Sequence, residues 1–306
     1  MDMSETRHMT GLRGELKLAE SMARHVSWRA GGVVARVYCA ADLDDLGAFL
    51  RQLPADEPVV FIGLGSNALV RDGGFHGTVV LTHAAAKRPA LVDGLVQAEA
   101  GVASPKVARF AAMNGFANAE FLAGIPGSIG GALAMNAGCY GSETWDIVER
   151  AQTIDRHGIV RIRDKADFDI DYRRCELKQG ALGRDEWFTA AYFKLPAGDS
   201  DASRARIKEL LSKRVASQPL SLPNAGSVFR NPPGDYAARL IESCGLKGLE
   251  RGGARVSEKH ANFIVNPKGV ARASDIEALI EAVRATVLQK TGVDLHPEVR
   301  IIGEAA

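Results

Sequence analysis

The spacing of apolar and polar positions predicts an alternation of helices and strands over the first two thirds of the chain. Over 42–53, Leu43, Leu46 and Leu50 recur at intervals that place them on one face of a helix. Over 58–63 the apolar residues run almost without interruption, as in a buried strand. Further strands are predicted over 34–40, 78–82, 91–99, 148–154, 159–162 and 187–195, and a further helix over 104–114. This alternation is typical of an α/β protein.

The pattern changes near residue 200. A helix predicted over 202–217 is rich in Arg and Lys, and the prolines that follow it mark a new organisation. A shorter helix over 235–244 and strands over 262–265 and 298–302 come next. Last, a long helix is predicted over 275–291, with a capping box formed by Ser274 and Glu277 and an end at Gly292. Its apolar face consists of Ile276, Leu279, Ile280, Val283 and Val287.

A chain of 306 residues is long enough for about two domains. We expect four segments: a helical extension over 1–27 whose helix lies at 11–24, a two-lobed α/β region over 28–200 with lobes at about 28–85 and 86–200, a separate α/β domain over 215–295, and a C-terminal strand segment over 296–306.

The composition is that of an ordinary soluble protein, with 46% hydrophobic and 25% charged residues and a net charge of +1. A charge this close to zero gives no reason to expect nucleic-acid or membrane-surface binding. The N-terminus lacks the apolar core of a signal peptide, and no apolar run approaches the ~20 residues that span a bilayer. The four cysteines form no CxxC pair and the seven histidines no metal-ligand spacing. We therefore expect a cytoplasmic protein without a metal site.

Residues 124–141, GIPGSIGGALAMNAGCYG, contain six glycines and no charged side chain. Glycine lets a ligand approach the main chain closely, so such a segment can direct several peptide N–H groups at a phosphate or pyrophosphate. The alternative is a tightly turned loop that crosses a core. Ser128 and Asn136 within the segment, and the apolar Phe121-Leu122-Ala123 before it, favour a buried cofactor site.

A second glycine segment, Gly63-Leu-Gly65-Ser66-Asn67-Ala68, follows a predicted strand and fits the Rossmann pattern GxGxx(G/A) weakly. A Rossmann turn must open a helix of several turns. Here residues 69–77 interrupt any helix within one turn, and another strand follows. The two segments together predict a large dinucleotide held between two small α/β lobes.

Four polar clusters are candidates for chemistry, each with an ordinary structural alternative. The run 171–174 supplies arginines that can bind a carboxylate, or forms a solvated loop. Ser227, within 224–232, can donate a proton or simply cap a turn, and no His–Asp partner marks it as a nucleophile. Glu298 and His260 can equally be a salt-bridged carboxylate and a polar residue at the start of a strand.

Six motifs occur in a fixed order: GLGSNALVRDGG, GIPGSIGGALAMNAGCYG, YR at 172–173, NAGSVFRNP, KHANFIVN and HPEVRIIG. Together they resemble the UDP-N-acetylenolpyruvoylglucosamine reductase family, over about residues 28–303. The resemblance implies an FAD-binding region of the vanillyl-alcohol-oxidase (PCMH) type, made of two lobes, followed by a C-terminal α/β substrate-binding domain. It implies an NADPH-dependent, FAD-mediated reduction of the enolpyruvyl ether of UDP-N-acetylglucosamine-enolpyruvate to UDP-N-acetylmuramate, in peptidoglycan precursor synthesis.

The resemblance also implies residue roles. Arg173 would stabilise the negative charge that develops on the substrate, Glu298, carried back by the C-terminal strand, would act with it, and Ser227 would donate the proton to the α-carbon. Tyr172, Asn231 and His260 would contact the substrate. FAD, bound non-covalently, would be held by Arg29, Gly63, Gly65, Ser66, Asn67, Leu69, Gly124, Gly127, Ser128, Gly130, Gly131, Asn136, Ala137 and Gly138.

The chain lacks a counterpart of the tyrosine-bearing loop that some relatives insert after the YR motif, so it resembles the shorter subtype. The resemblance leads us to expect a monomer in which NADPH and the UDP-sugar substrate share one cleft. Two rival readings remain at this point: another flavin oxidase or dehydrogenase of the same fold, and a nucleotide-binding protein without catalytic activity.

Overall fold

The computed structural model describes residues 9–84 and 86–306. The first lobe is a four-stranded sheet in the order β1-β2-β5-β3, in which β1 is antiparallel to β2, and β2, β5 and β3 are parallel. The predicted helix face is confirmed, since Leu46 and Leu50 pack against this sheet. In chain order its elements are β1 (Glu15–Ser21), β2 (Val33–Cys39), α1 (Leu43–Gln52), β3 (Val59–Ile62), β4 (Ala68–Val70) and β5 (Phe75–Leu81).

The helix predicted over 11–24 is wrong. Residues 15–21 form β1, which hydrogen bonds along the free edge of β2, and only Met22–Arg24 make a short 3₁₀ turn. The alternation of charged and apolar residues from Glu15 to Leu18 has the period of a strand, and a strand edge offers partners for every backbone group. Of the predicted extension, residues 1–8 lie outside the described part of the chain.

The second lobe is an antiparallel sheet of five strands in the order β11-β10-β14-β7-β6. The strand predicted over 91–99 is in fact the hairpin β6–β7, because Asp93 and Gly94 both have positive φ and form its turn. Its elements are β6 (Ala90–Val92), β7 (Leu95–Glu99), α2 (Ser104–Met113), α3 (Ile129–Ala134), β8 (Gly138–Cys139), β9 (Ser142–Glu143), α4 (Thr144–Ile147), β10 (Val148–Asp155), β11 (Val160–Asp164), β12 (Phe168–Asp171), β13 (Arg174–Leu177), β14 (Glu186–Phe193) and α5 (Ser200–Ser217).

The C-terminal part packs a long helix, α7, against a small antiparallel sheet, β15-β16-β17. The five residues of the predicted apolar stripe are all buried, and Gly292 ends the helix with φ of 74°. Its elements are α6 (Ala237–Ser243), β15 (Glu250–Arg251), β16 (Ala254–Val256), β17 (Ile264–Val265), α7 (Ala273–Thr291) and β18 (Arg300–Ile302).

The capping box predicted for α7 from Ser274 and Glu277 is wrong. The helix begins two residues earlier than the pattern predicted, and the carboxylate of Asp72, in the first lobe, accepts hydrogen bonds from the N–H groups of Ala273 and Ser274 at 3.1 and 2.9 Å. Glu277 instead pairs with Arg71 at 2.7 Å. A local bond, from the N–H of Arg272 to the carboxylate of Asp275 at 2.8 Å, is thus joined by a long-range partner that ties the first lobe to the C-terminal part.

The last strand returns to the first lobe. β18 pairs in parallel with β4, with Arg300 opposite Ala68. The N–H of Glu298 donates to the carbonyl of Val228 at 2.7 Å, and the Asn67 amide donates to the carbonyl of Glu298 at 3.1 Å. This pairing brings residue 298 beside the glycine segment at 63–68. No helix in the described ranges is long and apolar enough to cross a membrane.

Candidate active site

A cavity of about 330 Å³ lies where the two lobes and the C-terminal part meet. Both glycine segments that the sequence singled out contribute to its walls, as do four charged side chains. Its lining comprises residues 60–68, 124–128, 131, 132, 134, 135 and 137–139, together with Arg173, Arg214, Gln218, Ala225, Gly226, Ser227, Phe263, Glu298, Arg300 and Ile302.

The two glycine segments contact each other in the lining of this cavity. The hydroxyl of Ser66 donates to the carbonyl of Pro126 at 3.2 Å. A Cβ on Gly127 would overlap the Ser66 hydroxyl, and a Cβ on Gly63 would overlap that of Ser128. The close approach therefore requires glycine on each side, and it makes the pair one continuous wall of main chain.

The segment at 124–141 is not a plain loop, because residues 129–134 form the short helix α3. Gly130 faces inward, where an added Cβ would lie 2.9 Å from the Cβ of Ala100. Gly131 faces the cavity, and an added Cβ there would meet no atom within 4 Å. Gly131 thus leaves open space in which a ligand can approach the helix backbone.

Ten of the fourteen predicted cofactor residues line the cavity, and four do not. Arg29 is exposed, Leu69 is buried in the core of the C-terminal part, Gly130 packs against Ala100, and Asn136 is only 3% exposed. The prediction included these residues because they are neighbours of lining residues in sequence, but side chains of adjacent residues in a helix or strand point in different directions. The ten lining residues are Gly63, Gly65, Ser66, Asn67, Gly124, Gly127, Ser128, Gly131, Ala137 and Gly138.

Arg173 lies in the turn between β12 and β13, with φ of 56°. Its guanidinium donates from Nε to a carboxylate oxygen of Glu298 at 3.1 Å, from Nη1 to the carbonyl of Asn136 at 3.3 Å, and from Nη2 to that of Gly138 at 3.0 Å. Two segments far apart in sequence, 136–138 and residue 298, therefore fix one cation in the cavity lining.

Glu298 is largely buried, with 16% of its side chain exposed. Burial raises the pKa of its carboxyl, although the Arg173 and Arg230 guanidinium groups act in the opposite direction. The net shift favours the protonated form more than in a solvated glutamate. This carboxyl is thus a group that can exchange a proton inside the cavity.

Ser227 lines the same cavity, one residue after Gly226, which has φ of 75°. The neighbouring N–H of Val228 is held by the carbonyl of Asn262 at 2.9 Å, so the backbone here is fixed. The Ser227 hydroxyl has no hydrogen-bond partner among the described residues and is free to bond a ligand. Cys139 is also in the lining, but burial raises the pKa of its thiol to about 11, which keeps it protonated at neutral pH.

The sequence interpretation missed Arg214, which lies on α5 and lines the cavity. Burial lowers the pKa of its guanidinium, which still stays charged at neutral pH. Its Nε donates to Gln218 at 2.8 Å, and among the described residues no carboxylate lies within 4.0 Å of it. Ser203 and Leu210, both buried, lie on the same face of this polar helix, so the spacing of 203, 210 and 214 was the available signal.

The three predicted substrate residues lie outside the lining. Tyr172 is 40% exposed, and the guanidinium carbon of Arg173 lies over its ring, 4.8 Å from the ring centre. Asn231 accepts a hydrogen bond from the N–H of Ala237 at 3.1 Å, at the start of α6. His260 packs edge-on against Phe263, a lining residue, and burial lowers the pKa of its imidazole. Their predicted roles stay predictions.

The charges of the lining fit an anionic dinucleotide. The lining contains three arginines, Arg173, Arg214 and Arg300, and one carboxylate, that of Glu298. The glycine walls carry no charged side chain. Peptide N–H groups suit a pyrophosphate, and the surplus of arginine suits further phosphate or carboxylate groups. Within the described ranges no cluster of potential metal ligands was found.

Two other cavities lack this chemistry. A groove of about 690 Å³ between α2 and α5 is lined by surface side chains such as Met113 and Val215. A cavity of about 430 Å³ between the two lobes adjoins the first one at Phe61. Neither contains Arg173, Ser227 or Glu298.

Comparison with known proteins adds an independent line of argument. Residues 34–163 match a family model described as an FAD binding domain, and residues 218–302 match one described as the C-terminal domain of UDP-N-acetylenolpyruvoylglucosamine reductase. These matches confirm the predicted fold class and exclude the Rossmann alternative. The boundaries of the four predicted segments stay a prediction.

Curated proteins named UDP-N-acetylenolpyruvoylglucosamine reductase match along their length. The one from Nitrosospira multiformis is 56% identical, covering 100% of this chain and 94% of that protein. The one from Thiobacillus denitrificans is 55% identical, covering 96% and 94%. A crystal structure of the reductase (MurB) from Thermus caldophilus superposes with a TM-score of 0.78 at 29% identity, covering 95% of this chain and 100% of that one.

Proposed function

The chain belongs to the UDP-N-acetylenolpyruvoylglucosamine reductase family. From this premise we propose which residues of the cavity bind the cofactor and which act on the substrate. The protein is a flavin-dependent oxidoreductase that reduces the enolpyruvyl ether of UDP-N-acetylglucosamine-enolpyruvate to UDP-N-acetylmuramate, in peptidoglycan precursor synthesis. The observation that carries the proposal is that Arg173, Ser227 and Glu298 line the same cavity as the two glycine segments.

Bound FAD supplies the hydride for the β-carbon of the substrate, with NADPH as the reductant. The glycine walls at 63–68 and 124–128 hold its pyrophosphate through peptide N–H groups. The open space beside Gly131 and Gly226, where an added Cβ would meet no atom within 4 Å, supports this assignment because it lets a flat ligand approach the backbone.

Arg173 stabilises the negative charge that develops on the α-carbon and carboxylate of the substrate. It suits this role because its side chain is already fixed by Glu298 and two main-chain carbonyls, so no reorganisation is needed during the reaction. Arrival of the substrate carboxylate beside Glu298 adds a like charge, which favours protonation of Glu298 further. Glu298 then binds the substrate carboxylate as a neutral donor instead of repelling it.

Ser227 donates the proton to the α-carbon. Its hydroxyl is free of protein partners in the described part of the chain and lines the same cavity as Arg173 and Glu298. Serine is a weak acid, but a carbanion-like enolate is a strong base, so a positioned hydroxyl suffices. The proton and the hydride are thereby added to neighbouring carbons, and the double bond of the ether is reduced.

Arg214 binds a phosphate of a nucleotide ligand, either the UDP group of the substrate or NADPH. A partly buried guanidinium without a counter-ion is unfavourable, and a phosphate oxygen provides the missing charge. The position of Arg214 on α5, in the same lining as Ser227 and Gly226, supports a ligand that reaches beyond the reacting atoms.

The protein acts as a monomer in the cytoplasm, on small-molecule ligands and not on nucleic acid or membranes. The support for a monomer is that one chain supplies both glycine walls, Arg173, Ser227 and Glu298 to a single cavity. Light scattering of the purified protein across a range of concentrations tests this. A stable dimer would contradict it if substitutions that dissociate the dimer also abolished activity.

Two measurements test the function. The purified protein should be yellow, with the flavin absorption near ~450 nm, or become so on addition of FAD. Without the enolpyruvyl UDP-sugar, NADPH should then reduce the bound flavin only once, and continuous oxidation of NADPH should require that substrate. A protein that takes up no FAD, or one whose reduced flavin reacts readily with oxygen and not with this substrate, would contradict the proposal.

A further inference from the structure

Two non-glycine residues with left-handed backbone conformations contact each other beside the cavity. They are Asn136 and Arg173, with φ of 41° and 56°. A side chain in this conformation costs about 1–3 kcal/mol and persists only where surrounding contacts fix it. Asn136 and Arg173 are in direct contact, so the contacts that hold one also constrain the other.

The side chain of Asn136 is fully occupied by the protein. Its amide nitrogen donates to Glu143 at 2.6 Å and to the carbonyl of Asp171 at 3.3 Å, and its oxygen accepts from the N–H of Trp145 at 3.1 Å. Both amide hydrogens are thereby used, and the residue is 3% exposed. This leaves no donor on the amide for a flavin.

These bonds act on Arg173 from two sides. Asp171 ends β12 immediately before the turn that carries Arg173, so the Asn136 amide holds the turn. The carbonyl of Asn136 accepts directly from Nη1 of Arg173 at 3.3 Å. Glu143, the third partner, lies 3.9 Å from Nη1 and adds a second carboxylate near the guanidinium.

The arrangement determines which donors Arg173 has left for a substrate. A guanidinium has five N–H donors. One is bonded to Glu298, one to the carbonyl of Asn136 and one to that of Gly138. One N–H on each terminal nitrogen therefore remains for an anionic ligand such as a substrate carboxylate.

We propose that Asn136 is a positioning residue for Arg173, which keeps two guanidinium N–H groups available to the substrate carboxylate, and that it does not bind the flavin. The inference rests on the proposed function, since it assigns Asn136 to the step in which the enolpyruvyl substrate is reduced. It replaces the cofactor role that the glycine motif assigned to this residue.

The test is Asn136→Gly, because glycine adopts the left-handed conformation without strain and removes only the amide side chain. Asn118→Gly is the matched control: Asn118 is also left-handed, with φ of 69°, but it is exposed and outside the cavity. Both variants are loaded with FAD, reduced by NADPH and then mixed with the enolpyruvyl UDP-sugar without oxygen.

For Asn136→Gly we expect reoxidation by the substrate to slow by ~10–100-fold, since small displacements of a catalytic group cost up to ~100-fold. FAD affinity and the rate of reduction by NADPH should change by less than ~3-fold, and Asn118→Gly should match the wild type. Weakened FAD binding, equal loss of both half-reactions, or an unchanged reoxidation rate would each overturn the inference.

A second variant keeps the test decisive if Asn136→Gly does not fold. Asn136→Asp has nearly the same shape and retains the acceptor for the Trp145 N–H, but it loses both donors and repels Glu143. It should show the same selective loss. If the wild-type protein itself is not reoxidised by the substrate, the proposed function fails; if it is, and both variants behave like it, only the inference about Asn136 fails.

Discussion

The two parts of the cavity lining, called here its glycine end and its charged end, recognise negative charge in different ways. The glycine end, residues 63–68 and 124–128, has no charged side chain and presents main chain, whereas the charged end comprises the side chains of Arg173, Arg214 and Glu298, which line the same cavity. Main-chain donors are rigid and hold a resident group that does not change charge. Side chains with shifted pKa values suit ligands whose charge develops or departs. The comparison teaches that this protein separates cofactor retention from substrate chemistry within one cavity.

Removing the cation of Arg214 should have a large effect on substrate binding and none on the cofactor. A charge-assisted hydrogen bond is worth about 1.5–3 kcal/mol, so Arg214→Ala should raise the KM for the UDP-sugar or for NADPH by ~10–100-fold while FAD content is unchanged. Steady-state kinetics with each substrate varied in turn identifies which of the two it binds.

Arg204→Ala on the same helix is the control for that experiment, because its exposed side chain pairs only with Asp201. If Arg214→Ala lost FAD instead, with both KM values unchanged, the division of the cavity into a cofactor end and a substrate end would be wrong.

The adjacent glycines of α3 sharpen the comparison at the other end. Gly131→Ala should leave the apoprotein as stable or up to ~1 kcal/mol more stable, because alanine favours helix, yet it should weaken FAD binding by ~10-fold by filling the open space. Gly130→Ala should do the reverse, destabilising the fold against Ala100 without contacting the ligand. FAD titration and thermal unfolding of both variants measure this. Equal effects on FAD affinity would mean that the cavity wall at Gly131 is not a cofactor contact.

Asp72→Ala should affect both ends equally. Burial alone would raise the pKa of Asp72, but hydrogen bonds from Ser274 and Ala273 outweigh it and lower the pKa. Loss of this cap should reduce the free energy of unfolding by about 1–2 kcal/mol, as for other helix caps. Because the folded pKa is depressed, the wild-type advantage should be present at neutral pH and vanish as the pH falls. If Asp72→Ala changed the rate of flavin reduction relative to the rate of reoxidation, the contact between Asp72 and α7 would do more than join the first lobe to the C-terminal part.

Glu298→Gln should have the smallest effect on stability, and the direction of its pH dependence should be opposite to that of Asp72→Ala. Its folded pKa is raised by burial, so its protonated form stabilises the fold at acid pH and that contribution is lost as the pH rises through the raised value. Glu298→Gln should therefore gain stability relative to wild type between acid and neutral pH, as measured by urea unfolding at several pH values. A difference that is independent of pH would mean that Glu298 ionises as it does in solution.

The glycine end could be predicted from the sequence because its signals are local. Glycine at 63, 65, 124 and 127 reports on the conformation and close approach of the chain at those positions, and the missing helix after Gly65 was visible in residues 69–77. The same reasoning included Leu69, Gly130 and Asn136, which do not line the cavity, because sequence proximity does not state which way a residue points.

The charged end could be named only through the resemblance, because its geometry is long-range. Arg173 and Glu298 are 125 positions apart and meet because β18 pairs with β4. The sequence did not indicate Arg214, because α5 is polar on almost every face. The strand β1 was mistaken for a helix because what stabilises it is the free edge of β2, which no local pattern records.

The central claim is that the charged end serves the substrate and not the cofactor, and the two half-reactions of Ser227→Ala test it most directly. FAD-loaded protein is reduced with NADPH in a stopped-flow instrument and then mixed with the enolpyruvyl UDP-sugar in the absence of oxygen. The account predicts a reduction rate close to that of wild type and a reoxidation rate lower by ~100-fold or more, as expected for loss of a proton donor. Equal loss of both rates, or reoxidation at the wild-type rate, would contradict it.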